Sequence, residues 1–79
     1  MSKKRYEMGW AIVGRHGLYV GWHRVRREMI AEHVGDIHGV SSFTTSRGLD
    51  ESQMSAWRAC QRNGDRAVKV MISYDWSGK

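Results

Sequence analysis

Residues 6–13 alternate between large and small side chains with the two-residue period of a β-strand. In residues 6–13, one strand face carries the large side chains Tyr6, Met8, Trp10 and Ile12. Residues 18–23 are similarly aromatic and β-branched, and residues 14–17 between the two runs include two glycines. Two such runs joined by a short glycine-containing loop predict a β-hairpin over residues 6–23.

A second alternating region lies near the end of the sequence, in residues 67–74. Its apolar positions are Val68, Val70, Ile72 and Tyr74. We expect a strand there, because the alternation is regular over the whole segment. Residues 40–46 are rich in hydroxyl and β-branched side chains, which fits a short edge strand or a loop equally well, and both interpretations stay open.

Between these strands, the apolar period changes to that of an amphipathic α-helix. In residues 25–37, one helical arc holds Met29, Ile30, His33, Val34 and Ile37. We expect Ala31 on the opposite, outward side and Gly39 just beyond the end of the helix. Gly35 leaves a second interpretation open, in which the helix ends at that glycine.

A second helix is predicted over residues 51–63. Asp50 is suited to the N-cap position, and Gln53 three residues later completes a capping box. Gly64 follows the predicted helix, as expected for a C-terminal glycine cap. The side chains expected to point inward are Gln53, Ala56, Trp57 and Cys60.

The order of these elements, β-β-α-(β)-α-β, predicts an α+β fold. In this fold a small, mainly antiparallel sheet carries two α-helices on one face. The 79 residues are few enough to form a single domain, residues 1–79. The other sheet face then remains open to solvent or to a partner, and a homodimer is one way of covering it.

The composition narrows the class of protein. Hydrophobic residues make up 41% of the chain and charged residues 27%, as in an ordinary globular domain. Cys60 is the only cysteine, which excludes an internal disulfide and suits a reducing cytoplasm. No apolar run approaches the roughly 18 residues of a membrane span, and the basic start leads into a strand with Glu7 instead of a signal-peptide core. We therefore expect a cytoplasmic protein without membrane contact.

Residue spacing argues against a metal or catalytic site. His33 and His38 are five positions apart, not the three or four that place two ligands on one helix face, and the chain has no Cys-x-x-Cys pair. Cys60 falls on the inward arc of the second helix, where a cysteine usually behaves as a small apolar side chain. We therefore expect a non-enzymatic protein without a cofactor or a metal ion.

The distribution of charge points to binding. Thirteen basic residues against eight acidic ones give a net charge of +5. Three arginines follow His23 at the start of the first helix, where the helix N-terminus is already positive, so a contact with a partner explains them best. Arginine and tryptophan together are typical of protein-binding hot spots. The predicted partner-binding residues are Arg15, Trp22, His23, Arg24, Arg26 and Arg27.

Other interpretations of this cluster stay open beside protein binding. A small basic domain also carries arginines for solubility alone, and the four tryptophans also fit a core that is poor in leucine. A partner for the cluster would be polyanionic, either an acidic protein face or nucleic acid. Aromatic side chains on strands beside arginine are similar in composition to RNA-stacking surfaces. A basic nucleic-acid-binding module is therefore the alternative function.

The whole-chain profile resembles the small phage-encoded anti-CRISPR proteins that inhibit type I CRISPR-Cas effector complexes. The resemblance rests on the start Met1-Ser2-Lys3-Lys4, the hairpin of residues 6–23, two short helices and the strand of residues 67–74. It implies an inhibitor without catalytic residues, which occupies a surface of a host protein or ribonucleoprotein complex in the host cytoplasm. Many of these inhibitors are acidic and mimic DNA, whereas this chain is basic. The resemblance therefore implies contact with an acidic Cas surface or with the guide RNA.

Overall fold

The computed structural model describes the backbone of residues 3–76 and the side chains of residues 3–74. Met1 and Ser2, which belong to the predicted basic start, lie outside the described residues. The elements within that range are β1 (Lys3–Gly14), β2 (Gly17–Leu18), α1 (Arg26–His38), α2 (Glu51–Arg62) and β3 (Arg66–Trp76). The three strands form one antiparallel sheet beside two helices, so the predicted α+β class is confirmed. Across residues 3–76, neither helix is long and apolar enough to cross a membrane.

β1 is the central strand of the sheet, whose order is β2-β1-β3. It pairs with β3 from Lys3 opposite Trp76 to Val13 opposite Arg66, so the strand predicted over residues 67–74 is confirmed and slightly longer. In this register each even-numbered residue of β1 pairs with an odd-numbered residue of β3. Paired side chains lie on the same side of a sheet, so these two sets of residues share one face. We call this the helix face, because α1 packs on it, and the opposite side the open face.

The hairpin predicted over residues 6–23 is confirmed, but its turn and its second strand differ from the prediction. A two-residue turn joins β1 and β2 in place of the four-residue loop expected at residues 14–17. β2 contains only two residues, because the chain bulges at Gly21, whose φ of 136° only glycine adopts readily. The chain returns to β1 at His23, which exchanges backbone hydrogen bonds of 2.7 and 3.1 Å with Trp10.

α1 begins and ends one residue later than predicted, and it continues through Gly35. The helix therefore does not end at this glycine, which was the alternative that the sequence allowed. A Cβ at position 35 would lie 3.2 Å from the carbonyl oxygen of Val40, so the glycine lets the following loop pack against the helix. The helix ends at Gly39, which has a φ of 71° and donates its N–H to the Gly35 carbonyl.

α2 begins with the capping box expected from Asp50 and Gln53. The Gln53 N–H donates to Asp50 Oδ1 at 2.8 Å, and the Asp50 N–H donates to Gln53 Oε1 at 2.9 Å. The buried Gln53 side chain also donates from Nε2 to the carbonyls of Ser41 and Phe43, both at 2.8 Å. One side chain thus caps α2 and holds the preceding segment, and residues 40–46 form a loop, not a strand.

The hydrophobic core joins β1 to both helices. Its buried members are Ile12, Met29, Ile30, Val34, Ala56, Trp57 and Cys60. Two predictions on α1 are wrong, because Ala31 is fully buried and Ile37 is half exposed. α1 packs against α2 as well as against the sheet, which widens its buried arc to include Ala31. Ile37 instead lines an open pocket beside the hairpin turn.

Tyr6 and Met8, which the alternation places on the buried side of β1, are exposed. The reason is that β1 is much longer than α1, although the two have nearly the same number of residues. β1 has 12 residues and α1 has 13, yet the strand extends about 40 Å and the helix only about 20 Å. The sheet therefore runs past the helices, and the molecule is 47 Å long. We call residues 3–8 of β1 with residues 71–76 of β3 the ribbon.

Candidate functional site

Five of the six predicted binding residues lie together, where the hairpin returns to β1 and α1 begins. Arg15 is the exception, because it lies in the hairpin turn directly after Gly14. Glu7, the contact of Arg24, is seven residues before Gly14 on β1, which corresponds to roughly 24 Å along a strand. The structure thus keeps Trp22, His23 and the three arginines in one short stretch of chain but distributes them over both faces of the sheet, and it places Arg15 apart from them.

Trp22 packs against the open face of the sheet at Gly9. A Cβ built on Gly9 would lie 2.3 Å from Cε2 of the indole ring, so the ring rests directly on the backbone of β1. The indole Nε1 is buried and has no hydrogen-bond partner among the described residues. Trp22 is half-buried, and its main contact is with its own sheet.

His23 and Arg24 leave the strand on opposite faces. His23 Nε2 contacts the carboxylate of Glu32 on α1, which ties the hairpin to the helix. Arg24 forms an ion pair with Glu7. Most of the Arg24 side chain is exposed, and a surface pair of this kind contributes only about 0–1 kcal/mol. Arg24 therefore remains accessible to a partner.

Arg26 and Arg27 also make contacts within the protein. The Arg26 guanidinium carbon lies 5.8 Å from the ring centroid of Trp10, a cation–π contact. Arg27 Nε donates to the carbonyl oxygen of Thr45 at 3.1 Å. These contacts explain part of the arginine placement at a helix N-terminus, and the role of the cluster in binding a partner stays a prediction.

Exposed apolar side chains lie together on the helix face of the ribbon. Met8 and Met71 are cross-strand partners and are 51% and 61% exposed, and Tyr6 next to them is 60% exposed. Exposed Lys69 lies opposite Trp10, whose ring carries the Arg26 guanidinium. We call the following residues the ribbon surface: Tyr6, Met8, Arg26, Lys69 and Met71.

A second candidate site is a buried polar trio formed by His33, Cys60 and Asp65. Their nitrogen, sulfur and oxygen atoms all lie within 4.8 Å of one another. His33 Nε2 and Asp65 Oδ2 are 2.9 Å apart, and because a carboxylate only accepts, the imidazole donates. The Asp65 N–H bonds to the Cys60 carbonyl at 3.0 Å, so the turn after α2 positions the carboxylate.

Burial raises the pKa of the Cys60 thiol, and the neighbouring Asp65 raises it further through its charge and through a hydrogen bond. A thiol with a raised pKa keeps its proton at neutral pH and is a poor nucleophile. Cys60 is buried as expected, but it belongs to a polar trio and does not serve only as a small apolar side chain.

We expect Cys60 to make the protein less stable as the pH rises in the alkaline range. In the unfolded chain the thiol ionises near its ordinary pKa of about 8.5, whereas the folded thiol holds its proton to higher pH. Its stabilisation is therefore complete below the unfolded pKa and is lost as pH rises through the folded pKa. Urea unfolding at several pH values, with a chelator present, measures this effect. The free energy of unfolding should decline more steeply with pH for the wild type than for Cys60→Ala. Equal declines would contradict this.

Two of these features were not predicted from the sequence. Met8 was expected in the core, and Met71 fell on the polar side of its strand, so neither indicated a binding surface. A comparison of the lengths of β1 and α1 is the signal that identifies the exposed ribbon. The buried trio gives no signal in sequence spacing, because its members are 27 and 5 positions apart.

The comparisons with known proteins assign the chain to no family. No family model, curated protein or solved structure matches it.

Proposed function

We propose that the protein is a small, non-enzymatic binding protein that docks its ribbon surface on another protein. The observation that carries this proposal is the exposed pair Met8 and Met71, with Tyr6 beside it. Methionine, aromatic and arginine side chains are enriched at the centres of protein interfaces. The flexible, polarizable methionine side chain also adapts to an irregular partner surface.

The charges around this surface favour a partner with acidic residues at its rim. Lys69 and Arg26 border the apolar centre, and the whole chain carries a net charge of +5. Complementary charges at a rim speed up association and fix the orientation of the complex. A standard interface needs about 800 Å² from each partner, which is a small part of the 5885 Å² surface, so one side of the molecule is sufficient.

The partner class that we propose is a subunit of a type I CRISPR effector complex in the host cytoplasm. The support is the resemblance of the whole-chain profile to anti-CRISPR proteins, which act by covering a surface and need no active site. A basic inhibitor fits an acidic Cas subunit, and the ribbon surface supplies the apolar centre that a stable complex requires. Surface occlusion is therefore the mechanism in this proposal.

A specific observation favours nucleic-acid binding as the second candidate. The first three residues of β1 are all basic: Lys3, Lys4 and Arg5. A two-stranded antiparallel ribbon has the right width for the major groove of B-DNA. Exposed Tyr74 on β3 is available for stacking on an unpaired base.

The substitution Met71→Glu tests the ribbon surface. It places a carboxylate at the apolar centre, where the native side chain is already exposed, so the effect on folding is small. Met54→Glu is the matched control, because Met54 is 39% exposed on α2, outside the ribbon surface. Binding to purified type I effector complexes is measured by surface plasmon resonance. We expect Met71→Glu to weaken binding at least about 10-fold and Met54→Glu less than about 2-fold.

The other outcomes separate the competing interpretations. Equal affinities for the two variants would contradict the ribbon surface as the docking site. If the wild type binds no type I complex, the proposed partner class is wrong. Gel shifts on free duplex and single strands that persist at about 150 mM salt, and weaken steeply with added salt, would favour the second candidate. Light scattering that gives twice the 9.1 kDa chain mass, and one chain mass for Met71→Glu, would identify a homodimer.

A further inference from the structure

Three side chains with metal-ligand chemistry meet inside the protein, each from a different part of the fold. His33 lies on α1, Cys60 on α2, and Asp65 in the turn before β3. All three are buried, and their ligand-type atoms lie within 4.8 Å of one another. We propose that His33, Cys60 and Asp65 form a binding site for one Zn²⁺ ion. This inference is independent of the ribbon surface.

The spacing of the donor atoms is close to that of a zinc site. Bonds of about 2.0–2.3 Å in a tetrahedral arrangement hold neighbouring ligand atoms roughly 3.3–3.8 Å apart. The 2.9 Å between His33 Nε2 and Asp65 Oδ2 is slightly shorter than this, and the upper limit of 4.8 Å for the trio is slightly longer. Side-chain shifts of about 1 Å are therefore enough to bring all three donors to bonding distance.

The chemistry of the donors selects zinc over the hard cations. Calcium and magnesium prefer sites made of oxygen, whereas zinc accepts sulfur, nitrogen and oxygen together. A thiolate and a carboxylate also balance the charge of the ion, which reduces the cost of burying it. On binding, the Cys60 thiol proton passes to solvent, and the His33 imidazole proton moves from Nε2 to Nδ1, so that Nε2 becomes a ligand.

The surroundings of the trio hold the ligands in place. A Cβ at Gly14 would lie 2.7 Å both from Asp65 Oδ1 and from the Tyr19 ring, so the glycine makes room for the carboxylate. The rings of Tyr19 and Trp57 meet His33 edge-on, with centroids 4.7 and 6.2 Å away. Such close neighbours restrict the orientation of a ligating imidazole.

The ion has a route to the trio. A surface pocket of about 230 Å³ reaches Cys60 and Asp65, and its rim includes His16 and Tyr19. Three protein ligands leave one tetrahedral position for a further ligand. Solvent in the pocket beside Cys60 and Asp65 can supply that ligand.

Cobalt(II) binding to the untagged 79-residue chain tests the site directly. Cobalt replaces zinc in tetrahedral sites, and a bound thiolate adds an ultraviolet charge-transfer band to the visible d–d absorption. Because Cys60 is the only cysteine, this band reports on Cys60 alone. We expect both bands to saturate at one cobalt per chain and to disappear when Zn²⁺ is added. Absence of the charge-transfer band at saturating cobalt would overturn the proposal.

Substitutions distinguish Zn²⁺ bound by the trio from Zn²⁺ bound by an exposed histidine. We expect Cys60→Ser and Asp65→Asn to weaken Zn²⁺ binding at least about 100-fold, measured by competition with a chromophoric chelator. His38→Gln is the matched control, because His38 is exposed at the end of α1, and it should bind as the wild type does. Equal losses in all three variants, or none in the first two, would contradict the site.

Thermal unfolding keeps the proposal testable if a trio variant folds poorly. Ligand binding to the folded state raises the melting temperature with ligand concentration. We expect added Zn²⁺ to raise the melting temperature of the wild type, and Gly14→Ala, which retains all three donors, to show a smaller increase. No increase in the wild type would overturn the proposal, whereas the failure of the ribbon surface to bind a partner would leave this result unchanged.

Discussion

Replacing Gln53 with leucine should lower the free energy of unfolding by about 2–4 kcal/mol. The side chain is buried and makes three hydrogen bonds: Oε1 accepts from the Asp50 N–H, and Nε2 donates to two carbonyls of the 40–46 loop. Leucine fills a similar volume but leaves all three backbone groups without a partner. The loop carbonyls lie near the surface, and their hydration by water keeps the expected loss below the full desolvation cost.

Gln61→Leu is the matched control for this prediction, because Gln61 is exposed on the same helix. Its effect should stay within about 0.5 kcal/mol. Urea denaturation of both variants measures the difference through the midpoint at an unchanged slope. Gln53→Glu keeps the acceptor for Asp50 and removes both donors, so it separates the cap from the loop contacts. Equal stability of the Gln53→Leu and Gln61→Leu variants would contradict the role of this side chain.

Gln53 shows which contacts a local sequence pattern can predict and which it cannot. The capping box was predictable, because its two residues are three positions apart and their bonds are local to the helix. The bonds from the same amide to Ser41 and Phe43 were not, since they depend on where the loop crosses α2. A strand and a loop at residues 40–46 satisfied the sequence equally, and a side chain ten and twelve positions away decided between them.

The hairpin shows the same limit for backbone geometry. Val20 and Trp22 favour a strand, and the prediction continued the strand through both. The positive φ of Gly21 breaks the alternation instead, so that Val20 is fully exposed and Trp22 packs on Gly9 across the open face. Glycine permits this conformation but does not require it, and a single sequence cannot distinguish the two cases.

The candidate sites depended even more on how the helices and strands pack together. Residue types on β1 predicted a buried face for Tyr6 and Met8, but how far α1 covers β1 follows from the different rise of helix and strand. The buried trio requires α1, α2 and the turn before β3 to meet. Cys60 was predicted to point inward, and only the packed fold adds His33 and Asp65 beside it.

Gly9→Ala should destabilise the protein by about 2–3 kcal/mol, which is a large effect for one added methyl group. The new Cβ would lie 2.3 Å from the Trp22 ring, far inside contact distance, so the ring has to leave the open face. The loss is then limited to the packing energy of that ring. Trp22→Ala should therefore cost about the same.

The double variant Gly9→Ala with Trp22→Ala tests this coupling. Once the ring is absent, the added methyl group meets no obstacle, so the double variant should be about as stable as Trp22→Ala alone and not about 4–6 kcal/mol below the wild type. Additive losses would contradict the packing of Trp22 on Gly9. The same variants decide the predicted binding role of Trp22. If the ring only seals the sheet, folded Trp22→Ala should bind the partner as the wild type does, and a 10-fold loss would place Trp22 in the interface.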